Sequence, residues 1–488
     1  MFLSSPFHSR VAGALVDDNL HIALNRVTSR FTTLRLNALA SLPHADSVRD
    51  RARAIRAHTL SRLDIYLAQF ADSVEAAGGR VHWAADAHAA NRIVAEIAKA
   101  ARARTVVKGK SMVSEETHLN PALEAEGITV VESDLGEYII QLAGETPSHI
   151  IAPAVHKTKE QVGQLFHEKL GIPLTHDPAL LTAAARAKLR EVFLTADMGI
   201  SGVNFGVAET GTICIVTNEG NGRLTTSTPR VHVAMMGIER LVPTLDDLSA
   251  MLQVLARSAT GQKLSVYTSL ITGPRRRRPS KQSEGGPGEP DGPDELHVVL
   301  VDNGRSRVLG TRLAEILYCI RCGACLNICP VYQQIGGHAY GSVYPGPVGA
   351  VLTPALEGVE PWPELPQAST LCGACRDVCP VRIDIPRMLL ELRDAGHRAG
   401  QTPAWLKLFL PLYQLAATQP ALFNFGAAAA RWITRALSSN GWLKRLPPPL
   451  SGWTDHRDFP AFAAQPFSAQ FKNHHKGAKT QRNTKDSS

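Results

Sequence analysis

The chain has 488 residues, 44% apolar and 20% charged, with 52 Lys and Arg against 44 Asp and Glu for a net charge of +8. That balance excludes an intrinsically disordered chain and leaves apolar mass for about three globular domains. The excess charge gathers in Arg275–Arg278 and in the tail from Lys472 to Lys485. These read as solvated runs, without the motif or aromatic-interleaved basic groove of a nucleic-acid binder.

In chain order, residues 1–70 read as helical, because apolar residues recur at spacings of three and four. The N-terminus lacks the long apolar stretch of a secretory signal. From residue 71 to about 304 the texture becomes strand–helix alternation, which predicts a parallel, helix-covered α/β sheet. Strands are expected at "RVHWA", "RTVVKG", "ITVVESD", "HIIAPAVH", "KLSVYTSLITG" and "LHVVLVDNGR", with two or three more between Val207 and Gly237. Cys214, between β-branched neighbours in "GTICIVT", reads as a buried structural thiol. About residues 274–295, "PRRRRPSKQSEGGPGEPDGPDE" cannot bury enough apolar surface to order itself and reads as a disordered hairpin tip. Residues 305–392 hold a cysteine module and 393–446 proline-interrupted apolar helices, followed by a polar, basic tail over 447–488. Within Leu408–Ala430 no residue is charged. Two prolines and several amides there favour a packed helical pair over a surface-lying membrane contact or a spanning helix.

The module carries the chemistry. "CIRCGACLNICP" places Cys319, Cys322, Cys325 and Cys329 at the C-x2-C-x2-C-x3-C-P spacing of a [4Fe–4S] run. Its near twin "STLCGACRDVCP" supplies Cys372, Cys375 and Cys379, with Ser369 where a fourth cysteine would stand. Three thiolates on a tight turn wrap one face of a cubane, and the fourth faces away and ligates the other cluster. The crossing rule assigns cluster one to Cys319, Cys322, Cys325 and Cys379. Cluster two receives Cys329, Cys372 and Cys375. Its fourth position falls to Ser369, to water or another side chain such as His338, or to no ligand in a [3Fe–4S] cluster. Two iron–sulfur clusters are therefore expected, either [4Fe–4S] twice or one [4Fe–4S] and one [3Fe–4S]. Neither a G-x-G-x-x-G after a strand nor a P-loop is present, so no dedicated flavin or nicotinamide site is expected.

With these residues in hand the chain resembles the lactate utilization protein B family. The resemblance runs from about residue 20 to 450, and its most specific stretches are the two cysteine motifs with "YQQIGGHAYGSVYPGPVGAVLTP". "VVKGKSMVSEETHLN", "VVESDLGEYIIQLAGETPSHIIAPAVHK" and "GVNFGVAETGT" are similar to the family's lactate-utilization domain. The family's second motif also has three cysteines, so Ser369 is no departure. The resemblance implies a fold like that of ribose-phosphate isomerases and CoA transferases, joined to a ferredoxin-like two-cluster module and a helical C-terminal region. It implies an electron-transfer subunit of a complex oxidising L-lactate to pyruvate, rather than a catalyst alone. The expected partners are a second iron–sulfur subunit and another lactate-utilization-domain protein. The expected location is the cytoplasm, with peripheral contact at the inner face of the membrane as the alternative. Other 2-hydroxy acids, such as glycolate, and a non-redox cluster scaffold or sensor are the competing readings. If the α/β domain keeps a polar pocket, its candidates sit at strand ends and turns: Lys108, Ser111, Glu115, Glu132, Asp134, Glu137, His156, Lys157, Glu209 and Thr210.

Overall fold

The computed structural model describes residues 6–275 and 292–471, apart from 403, 449, 455, 456 and 468. The chain divides into two units between Gln401 and Thr402.

In the first unit, helices α1 (Pro6–Leu15), α2 (Asp18–Ala40), α3 (Ala45–Ser61) and α4 (Leu63–Ala76) precede the sheet. The Asp17 carboxylate caps α2 by accepting the Leu20 N–H at 3.0 Å. The α/β region then runs β1 (Arg80–Ala84), α5 (Ala87–Ala100), β2 (Thr105–Lys108), α6 (Met112–Glu116), α7 (Leu119–Glu124) and β3 (Thr129–Glu132). It continues through α8 (Leu135–Ala143), α9 (Lys159–Leu170), α10 (Pro178–Thr195), β4 (Met198–Gly202), β5 (Phe205–Val207) and β6 (Thr212–Thr217). It closes with α11 (Asn221–Ser227), β7 (Val231–Gly237), β8 (Leu241–Val242), α12 (Leu245–Ala259), β9 (Tyr267–Ile271) and β10 (Glu295–Val301).

Six strands form one sheet in the order β1-β10-β7-β4-β2-β3, and every pairing in it is parallel. Strand β7 is buried along its whole length, as a strand covered on both faces must be. The register aligns Lys108 with Glu132 and Ile200, and Gly237 with Val301, so the carboxyl ends of the strands share one edge. Strands β8, β5, β6 and β9 form a second, smaller sheet. Cys214 lies in β6 with no solvent exposure, and burial pushes its thiol up to about 12, as a structural cysteine requires.

Two expectations are corrected. "HIIAPAVH" is not a strand but a bent loop between α8 and α9. The Ile151 and Ala152 N–H groups donate to His149 Nδ1 at 3.0 and 3.1 Å, a local side-chain alternative to a strand ladder. Nor is the Arg-rich segment a hairpin tip. Strand β9 pairs with β6 and β10 with β1 and β7, so the connection crosses between sheets. Residues 276–291, most of the expected disordered loop, lie outside the described residues.

The cysteine module contains α13 (Arg305–Leu309), α14 (Ala324–Ile328), α15 (Tyr332–Ile335), α16 (Gly346–Glu357), α17 (Ala374–Val378) and α18 (Ile385–Arg398). It packs on the α/β region through close backbone approaches. A Cβ at Gly337 would stand 1.8 Å from the Ser148 carbonyl oxygen, so only glycine fits there.

In the second unit α19 (Ala404–Thr418) and α20 (Pro420–Leu437) pack on each other, with the break at Gln419–Pro420. A two-residue ladder, β11 (Trp442–Leu443) with β12 (Phe459–Pro460), follows. Among the described residues no helix is long and apolar enough to cross a membrane. The basic tail from 472 lies outside the described residues.

Candidate iron–sulfur site

The two cysteine motifs adopt one backbone form. Arg321 and Gly323 have φ of 58° and 74°, and their counterparts Leu371 and Gly373 have 55° and 85°. A left-handed Arg or Leu costs on the order of 1–2 kcal/mol. The repeated conformation turns one N–H group in each motif toward the side chain that opens it. The Arg321 N–H donates to Cys319 Sγ at 3.4 Å, and the Leu371 N–H donates to Ser369 Oγ at 3.1 Å. The serine hydroxyl therefore takes the thiol's place in an otherwise equivalent loop.

After each loop comes a single helical turn, α14 or α17, and the two turns pack together. Each ends at a cysteine in extended conformation, Cys329 (φ −77°, ψ 119°) and Cys379 (φ −63°, ψ 121°). Leaving the helix there turns the last thiol of one motif toward the other motif. The thiols that feel one another's charge sort accordingly. Burial, then Cys379 and Cys319, push the Cys322 thiol up to about 12. Burial pushes Cys379 up to about 11, with Cys319 adding to it. Cys325 is raised by burial and then by Cys319 and Cys322, with Cys375 and Cys379 following. On the other side, Cys329 is raised by burial and by Cys372, and Cys375 to about 12 by burial and by Cys329 and Cys372. Cys372, the exposed member, is instead lowered, first by the Ala374 N–H.

This donor set fits iron–sulfur clusters. Buried thiols facing one another ionise only against positive charge, and cluster iron supplies it. Backbone N–H groups already aim at the sulfurs: Ala374 at Cys372, Val331 and Tyr332 at Cys329, Val381 and Ile383 at Cys379. Arginines from the N-terminal helices hold the second loop by its carbonyls. Arg35 Nη2 donates to Val378 O at 2.6 Å, and Arg49 Nη2 to Asp377 O at 2.6 Å and Cys379 O at 2.8 Å. Arg240 Nη1 donates to Cys319 O at 2.8 Å. These cations surround what would be an anionic cluster. His338 stands elsewhere: its Nε2 meets the Thr146 carbonyl at 2.6 Å, and its ring lies 4.5 Å from that of His156.

Residues 67–301 match the LUD domain family, residues 315–383 the 4Fe-4S dicluster domain, and residues 394–476 the family described as lactate utilisation protein B, C-terminal. Lactate utilization protein B of Bacillus pumilus is 45% identical over 96% of this chain and 98% of its own length. That of Geobacillus thermodenitrificans is 45% identical over 97% of this chain and 98% of its own. The chain belongs to the lactate utilization protein B family. Its dicluster domain carries two iron–sulfur clusters, and its α/β region is a LUD domain.

The polar candidates of the LUD domain separate into four places. Lys108, fully buried, places Nζ 2.8 Å from Glu132 Oε1 and 2.9 Å from Glu115 Oε1. Burial opposes its charge, but Glu132, Glu115 and Glu137 outweigh it and hold the ammonium above its ordinary range. Burial raises Glu132 and lifts Glu137 to about 8. His156 and Lys157 both pair with Glu145 in a separate cleft that His338 also lines. Glu209 accepts the Leu245 N–H at the start of α12, and Thr210 donates to Thr212 Oγ1 at 2.8 Å in the β5–β6 turn.

Only Ser111 and Asp134 line the cavity of about 370 Å³ that opens at the carboxyl ends of β2, β3 and β4. Asp134 also caps α8 by accepting the Gly136 and Glu137 N–H groups. The rest of the wall includes polar residues that sequence reasoning missed, among them Lys110, Glu219, Asn221, Glu239, Arg240 and Arg321. Arg321 was hidden as a spacer inside a C-x2-C motif, and nothing in the linear sequence ties it to Glu239.

Proposed function

We infer that this chain is the iron–sulfur electron-transfer subunit of an assembly that oxidises L-lactate to pyruvate and supports growth on lactate. The observation that carries this is the interlocking of the two motifs, each sending its last thiol toward the other's loop. Cluster one takes Cys319, Cys322, Cys325 and Cys379. Cluster two takes Cys329, Cys372 and Cys375, with the Ser369 hydroxyl at its fourth position. Two clusters in one module exchange single electrons, and the chain's residues set the conditions for that exchange. Thiolates and backbone N–H groups hold each cluster, and Arg35, Arg49 and Arg240, beside Cys322, Cys379 and Cys319, offset the negative charge of cluster one, which favours its reduced state. The substrate assignment rests on the family, whose curated members are named for lactate utilization. A second iron–sulfur subunit and another LUD-domain protein complete the assembly in this reading, in the cytoplasm.

The test is anaerobic purification with iron and sulfide analysis and electron paramagnetic resonance, followed by growth on L-lactate of a strain carrying Cys322→Ser. Two clusters in the wild type and lost growth in the variant are expected. A folded, iron-free wild-type protein, or undiminished growth, would overturn the reading. Reduction of the assembly by glycolate but not L-lactate would move the substrate to another 2-hydroxy acid.

A further inference from the structure

The cavity at the sheet edge and the loop of the first cysteine motif share a wall, and that wall contains unsatisfied polar atoms. Arg321 stands between Cys319 and Cys322 and lines the cavity although only 8% exposed. Its guanidinium carbon lies 4.6 Å from the centre of the Tyr344 ring, which fixes the plane of the fork. Nη2 lies at the long distance of 3.5 Å from Glu239 Oε1, and Nη1 has no hydrogen-bond partner. Across the cavity Asn221, 9% exposed, leaves Oδ1 unpartnered. Buried polar atoms without partners are rare and call for a ligand or another specific cause.

The remaining lining narrows the chemistry. Lys110 adds an amine donor, its Nζ donating to the Ile151 carbonyl at 2.6 Å while burial opposes its charge, and Ser111 adds a hydroxyl. Phe31 and Leu255 make an apolar flank. The acids present are largely engaged. Glu239 accepts from Arg305 at 2.6 Å, Asp134 caps α8, and burial and Asp134 push Glu219 toward its neutral form. The place is also where open parallel sheets bind ligands, outside the carboxyl ends of the strands. An Arg fork recognises a planar carboxylate through two parallel hydrogen bonds, and a cavity of this volume is in the range of small-molecule sites.

We propose that this cavity binds a small organic carboxylate of the 2-hydroxy or 2-oxo acid class, its carboxylate on Arg321, in contact with the loop of cluster one. The inference deepens the electron-transfer reading and rests on it. Placing an anion against that loop couples binding to the charge of the cluster: an added electron repels the carboxylate, and by linkage the bound carboxylate lowers the potential.

The experiment uses the anaerobic, cluster-loaded full chain, with L-lactate, pyruvate and the uncharged methyl ester of L-lactate as probes. Calorimetry measures binding, and a redox titration followed by electron paramagnetic resonance reads both clusters. The acids should bind and the ester should not. One of the two clusters should shift to lower potential, a tenfold weaker affinity for the reduced state corresponding to about 59 mV for one electron. Arg321→Lys, which keeps the charge but loses the fork, should weaken binding at least tenfold. Asn221→Leu, outside the cysteine loop, should also weaken it and covers the case in which Arg321→Lys disturbs cluster assembly. Wild-type protein with both clusters intact and no response to either acid would overturn the inference, as would unchanged binding in both variants. Absence of the clusters themselves would instead strike the reading on which it rests.

Discussion

Replacing Arg305 by methionine removes a buried cation that ties the LUD domain to the cysteine module. Arg305 is fully buried; Nη1 and Nη2 grip Glu116 at 2.7 and 2.8 Å, and Nε meets Glu239 at 2.6 Å. Removing one partner of a buried pair costs about 3–5 kcal/mol, because a charge is left without compensation. Two carboxylates are exposed to that loss here, but both retain partners. Glu116 keeps Asn303 at 2.7 Å and the Tyr344 hydroxyl at 2.6 Å, and Glu239 keeps Arg321 at 3.5 Å. The expected loss is therefore about 3–5 kcal/mol in total rather than twice that.

The pH dependence has a definite sign. Burial opposes ionisation of both acids, yet Arg305 leads the partners that together outweigh it: with Asn303 and Tyr344 it holds Glu116 below the usual carboxylate range, and with Arg321 and Arg240 it holds Glu239 at about 2. Depressed carboxylates contribute stability that is present above the unfolded value and lost as pH falls through the folded one. Without Arg305 their pKa values rise, so the variant's deficit should be largest at pH 8 and shrink toward pH 5.5 as they protonate. Anaerobic urea unfolding followed by circular dichroism at both pH values measures this. Arg92→Met is the control: its pair with Glu96 is solvent-exposed, so removing it should change stability by under about 0.5 kcal/mol. A loss below about 1 kcal/mol for Arg305→Met, where a buried pair predicts several times more, or a deficit equal at both pH values would refute the reasoning.

Three further outcomes are expected. Ser369→Cys should give cluster two a fourth thiolate and shift its potential, whereas Ser369→Ala should raise the [3Fe–4S] signal in electron paramagnetic resonance; wild-type spectra in both would remove Ser369 from the site. Lys108→Met should cost about 3–5 kcal/mol by stranding buried Glu132, and adding Glu132→Gln should restore part of it; additive losses in urea unfolding would contradict the pairing. The Cys214 thiol, held at about 12 by burial, should resist iodoacetamide at pH 8 in folded protein and react once unfolded, with mass spectrometry of its peptide as the readout.

The sequence by itself determined whatever depends on a few consecutive residues. The spacing of Cys319, Cys322, Cys325 and Cys329 predicts cluster ligation because reach along a tight turn is a local property. Short β-branched and aromatic runs set between helical stretches likewise predict strands such as Arg80–Ala84 and Thr105–Lys108. Local reading failed where a nearby competitor intervened, as His149 does by capturing the N–H groups of Ile151 and Ala152. It also failed where strand partners lie far off in the chain, as for β9 and β10 on either side of the Arg-rich segment. Only the tertiary structure decided that Arg321 faces a cavity at the sheet edge, that Arg240 reaches the Cys319 carbonyl, and that Arg305 meets Glu116 across 189 residues of chain. Those meetings arise from packing the cysteine module on the LUD domain, and no periodicity or spacing encodes which distant side chains a packed interface will bring together.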